Sequence, residues 1–141
     1  MILHCNFEEL RALDEGAEYL VGDAPAGAET VVMAAPAARS AVESLRHSLE
    51  GDMEIPTLAE QRTVRAAVGA ICESLRLQLD AVVLEQHPGH EQAVELYFNY
   101  AHVRSVLGRL DEMGGEMDAL IELMTGQPAT EETAERITFG D

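Results

Sequence analysis

The polar side chains that follow residue 86 are the ones whose types and spacing point most directly to chemistry. Glu91, Glu95, Asn99, His102 and Arg109 recur at intervals that put them on one sector of a helix, with His87 and His90 just before or at its start. Carboxylates and imidazoles converging in this way hold Zn²⁺ or another divalent ion. His87, His90, Glu91, Glu95 and His102 are therefore the candidate ligands of a small metal-dependent helical enzyme. The pattern misses every specific template. The chain contains no His-Glu-x-x-His and no Glu-x-x-His, the arrangements used by zinc proteases and di-iron bundles. Glu95 and His102 also stand about 10 Å apart along a helix, too far for one mononuclear site unless both lean inwards. Polar residues on the wet side of a helix are what folding alone gives, so the expectation is no metal and no cofactor.

Nucleophilic catalysis has less support still. Serines 40, 44, 48, 74 and 105 all fall on expected helices, and none sits in a Gly-x-Ser-x-Gly elbow. Cys72 lies beside an apolar stripe and reads as a small core residue. Cys5 follows His4, but neighbours on a strand point to opposite faces, which argues against a thiolate–imidazole pair. The expectation is that no residue is catalytic. All nine basic residues are arginine. Without lysine there is no P-loop of the usual kind, no Schiff base and no Ser-Lys dyad. Glycines without a Gly-x-Gly-x-x-Gly arrangement give no dinucleotide cradle. The missing lysines fit a GC-rich, bacterial genome, and 19 Glu against 7 Asp with ordinary apolar content favours that over a salt-loving host.

The elements that must position these residues are mostly helical. At 141 residues, 47% of them hydrophobic but only 4% aromatic, the chain has the size of a single domain over 1–141 with an aliphatic core. Asn6-Phe7-Glu8-Glu9 is a capping box opening a helix to about Leu20, which buries Leu10, Leu13 and Ala17. A loop follows at Gly22–Gly27. Thr30–Met33 reads as a short strand; Ile2–Cys5 and Met53–Ile55 are similar candidates, and Ile137–Phe139 pairs with one of them. A helix after Pro36 presents Val42, Leu45 and Leu49 and stops at Gly51. Thr57-Leu58-Ala59-Glu60 opens a long helix to about Glu85, with Val64, Val68, Ile71, Leu75, Leu79 and Val82 in one stripe. Its antiparallel neighbour runs from about 90 to 113 on Leu96, Tyr100, Val103, Leu107 and Leu110. Gly114-Gly115 should break or kink it before a further piece over 116–124, and Thr130 caps one last turn. The fold class is a mostly α bundle: two long antiparallel helices, shorter flanking ones and a minor β element near the N-terminus.

Two features bear on partners. The helix after His90 has a second apolar sector, Val94, Tyr97, Phe98 and Ala101, continued by Ser105 and Gly108; its predecessor adds Leu77 and Leu84. A helix greasy on two sides is central to a bundle or lies in a subunit interface, so a homo-oligomer is expected with these residues in contact. Charge is the other feature. Residues 1–35, 36–110 and 111–141 carry −6, −3 and −8, summing to −17, which repels nucleic-acid phosphates and anionic lipid at long range. That skin is solubilising, and it also suits docking to a basic protein partner. No signal peptide, no membrane span and only two cysteines indicate the cytoplasm. The leading expectation is a non-enzymatic interaction protein, acting as a homo-oligomeric adaptor, chaperone-like partner or assembly component. The alternatives are an acidic inhibitor or decoy of a basic nucleic-acid-binding protein, and the metal-dependent enzyme above.

Overall fold

The computed structural model describes residues 1–19, 51–85 and 91–140. Strand β1 (Ile2–His4) leads into α1 (Phe7–Tyr19), and β2 (Asp52–Glu54) leads into α2 (Leu58–Glu85). Helices α3 (Glu91–Thr125) and α4 (Glu131–Arg136) complete the order. The expected strand over 30–33 and helix after Pro36 lie outside the described residues. Among the described residues no helix is long and apolar enough to cross a membrane.

Helix α1 starts where its capping box places it. Glu9 N donates to Asn6 Oδ1 at 2.8 Å, and Asn6 N donates to Glu9 Oε1 at 2.9 Å, which satisfies two amides that the first turn leaves open. The helix buries Ala12, Leu13 and Ala17 against the long helices. It comes so close to α2 that a Cβ on Gly16 would stand 2.4 Å from Ile71 Cγ2. Among the described elements, helices α2 and α3 make the largest contact. The stripe read from sequence forms its core, with Val64, Val68, Ile71, Leu75 and Val82 meeting Leu96, Val103 and Leu110 in one buried cluster. Fully burying such a Leu, Ile or Val contributes about 1.5–3 kcal/mol.

One expectation is corrected here. The Gly114-Gly115 pair does not break the second long helix, which continues to Thr125. Gly114 is buried under the Gln61 side chain of α2, whose amide donates to Leu110 O at 2.6 Å. A Cβ on Gly114 would lie 2.8 Å from Gln61 Nε2. The glycine is there for close approach between helices, and Met117 and Ile121 beyond it are fully buried.

The small sheet ties the N-terminus to the start of α2. β1 and β2 pair antiparallel with Ile2 opposite Glu54, Leu3 opposite Met53 and His4 opposite Asp52. Beyond the strands, Cys5 N donates to Gly51 O at 3.0 Å and Ile55 N to Met1 O at 2.7 Å. Gly51 has φ +71°, and a Cβ there would meet Cys5 O at 2.5 Å, so the turn requires glycine. The tail 137–139 forms no strand, yet it lies beside this sheet: Phe139 N donates to Pro56 O at 2.6 Å, and Met1 N donates to Phe139 O at 3.0 Å. Thr130 caps α4 as expected, with Thr133 as the reciprocal partner.

Candidate functional site

Three of the five candidate ligands line one groove. Glu91, Glu95 and His102 project from α3 towards α1, where Glu8 and Arg11 form the opposite wall, and Val94, Phe98 and Asn99 complete a space of ≈ 570 Å³. Their helical spacing set this placement, since residues 91, 95, 98 and 102 follow at steps of four, three and four. His87 and His90 lie outside the described residues. Among the described residues no three His, Cys, Asp or Glu side chains stand close enough together to hold an ion. With His102 neutral, the lining carries three carboxylates and one guanidinium, a net of −2.

Asn99 sits deeper than a wet-face residue. It is 4% exposed and donates from Nδ2 to Glu15 Oε2 at 2.7 Å. Its position explains this, three residues after Leu96 and four before Val103, on the edge of the buried stripe. Glu15 in turn faces Arg11 at 3.9 Å, as does Glu8. Arg109, read from sequence as part of the same polar sector, leaves the groove altogether. Its guanidinium reaches over the N-terminal end of α1 to pair with Glu9 and to donate to His4 O. Nothing in the local sequence pattern pointed to that contact.

The cysteines are structural. His4 is exposed and bonded to Asp52 at 2.6 Å, while the neighbouring Cys5 is buried, so the two side chains diverge. Burial pushes the Cys5 thiol up to about 11, with Asp52 adding to the shift and the Arg109 charge opposing it. Burial also raises Cys72, and Glu73 reinforces it. Neither thiol is an activated nucleophile at neutral pH.

The expected interface residues divide. Val94, Tyr97 and Phe98 are 47%, 57% and 57% exposed, and Ala101 is exposed beside them. The Tyr97 and Phe98 rings meet edge to face, 6.1 Å apart at 67°. Leu77 is half-buried and packs against the core. The side chain of Leu84 lies outside the described set. Of the expected interface residues, those open to solvent thus all lie on α3, where Val94 and Phe98 also line the groove; Ile2, Phe7 and Val83 are exposed apolar side chains on other elements. No protein-family model, no curated protein and no solved structure matches this chain.

Proposed function

We propose that this is a non-enzymatic interaction protein that works as a homo-oligomer, and that the outward face of α3 is its self-association surface. The observation that carries this reading is the exposure of Val94, Tyr97 and Phe98 together on a helix whose opposite side forms the core. Two adjacent aromatic rings left more than half open to water are the kind of side chain that anchors an interface. They sit on a regular helix, so presenting them to a partner needs little reordering.

Sedimentation at tens of micromolar tests the proposal. Assemblies heavier than the 15.3 kDa chain are expected, and a single species of chain mass overturns it. Phe98→Glu should lower the assembly state without unfolding the chain. The new carboxylate is solvated in the monomer but would be buried unpaired in the interface, at a cost of several kcal/mol.

A further inference from the structure

The geometry points to a specific partner and orientation for that face: α3 of a second copy of this chain, antiparallel and crossing at Gly108. This rests on the self-association reading and adds its register. The outward sector of α3 runs through Val94, Ala101, Ser105, Gly108, Glu112, Gly115, Ala119 and Leu123. At 100° per residue these lie opposite the buried Leu96, Val103, Leu110 and Ile121, and every one of them is exposed. The sector is about 44 Å long at 1.5 Å per residue. Its apolar groups lie at the two ends, Val94, Tyr97 and Phe98 at one and Leu123, 81% exposed, at the other.

Charge selects the occupant. Beside this face before Gly108 stand Arg104 and, at the far end, Glu91; after Gly108 stand Glu112, Glu116 and Glu122, and none of these side chains makes an ion pair among the described residues. Arg104 is four residues before Gly108 and Glu112 is four after. Antiparallel crossing at Gly108 therefore sets Arg104 of each copy beside Glu112 of the other, twice over by symmetry. The same register brings Ala101 opposite Gly115 and Tyr97 opposite Ala119, and sets Val94 level with Glu122, beside Leu123, and Phe98 level with Asp118, beside Ala119. A parallel pair would instead set Glu112 against Glu112 and Arg104 against Arg104. At the crossing point Gly108 and Gly115 present no Cβ, which lets a second helix come close, and the space above them is open, since a Cβ there would meet nothing within 4 Å.

Cysteine cross-linking in the full-length chain tests the register. Gly108→Cys puts the two new thiols at the symmetry axis, within the ~4.4–6.8 Å Cα separation that a disulfide spans. Mild oxidation should give a linked dimer. The parent chain should give none, because Cys5 and Cys72 are buried with raised thiols. Gly115→Cys should not link to itself, since antiparallel pairing holds the two positions about 20 Å apart along the axis. Arg104→Glu should weaken the dimer about tenfold in sedimentation, and Arg104→Glu with Glu112→Arg should restore most of the loss. Equal linking at 108 and 115 would mean parallel pairing and overturns the inference. A dimer that neither links at 108 nor responds to Arg104→Glu overturns the register while leaving self-association standing. A monomer at tens of micromolar removes both.

Discussion

Glu9 shows how much one carboxylate can hold in place. Its backbone N–H and one oxygen close the capping box with Asn6, and its other oxygen meets Arg109 from the middle of α3. The side chain is only 6% exposed, so its charge depends on that partner rather than on water. Arg109→Met should therefore destabilise the chain by about 2–4 kcal/mol in urea unfolding at pH 7, because it leaves a buried carboxylate unpaired. Adding Glu9→Gln should recover part of the loss, since glutamine still accepts from Asn6 N but carries no charge to strand. If the two substitutions simply add, the pair is not coupled and the account of α1 docking is wrong. The capping role of Glu9 could be read from Asn6-Phe7-Glu8-Glu9. Its partner could not, because residues 100 positions apart meet only through the packing of α1 on α3.

At the level of elements, local signals were legible and close approaches were not. Both capping sequences start helices, with Glu60 N donating to Thr57 Oγ1 at 3.1 Å in the second. The stripe from Val64 to Val82 is the core face of α2, and the two short strands lie where β-branched and apolar residues suggested them. Glu91, Glu95, Asn99 and His102 of the polar sector of α3 also gather in one groove while Arg109 leaves it, and the α1 wall, Glu8 and Arg11, needed the tertiary structure. Gly114-Gly115 misled because each glycine disfavours a helix by about 1 kcal/mol. Packing of Met117 and Ile121 beyond them outweighs that. The contact with Gln61 yields a prediction. In the parent chain, Gly114→Ala gains about 1 kcal/mol of helix propensity but displaces the buried Gln61 amide from Leu110 O, which costs about 1–3 kcal/mol. Stability should fall slightly. In a Gln61→Ala background the same substitution should raise stability by about 1 kcal/mol. An identical change in both backgrounds would show that Gln61 does not set the space at residue 114.

For the whole molecule the governing fact is a net charge of −17. Among the described residues six arginines are engaged with carboxylates, Arg11, Arg62, Arg65, Arg76, Arg109 and Arg136. All of them but Arg109 make their pairs on the surface, where each pair contributes about 0–1 kcal/mol. Repulsion among the remaining carboxylates acts over a longer range, and it acts between copies as well as within one. Raising salt shortens the Debye length from about 30 Å at 0.01 M to about 8 Å at 0.15 M, which relieves both. The melting temperature should therefore rise with salt, and so should the tendency to self-associate, even though the Arg104–Glu112 contact itself is weakened. A basic protein docking on the acidic groove between α1 and α3 would behave the opposite way, losing affinity as salt is added. Sedimentation and thermal melts between about 20 and 300 mM NaCl thus separate the two kinds of partner. Self-association that falls as salt rises would mean that attractive Arg–carboxylate contacts hold the copies together and that the apolar face of α3 contributes little.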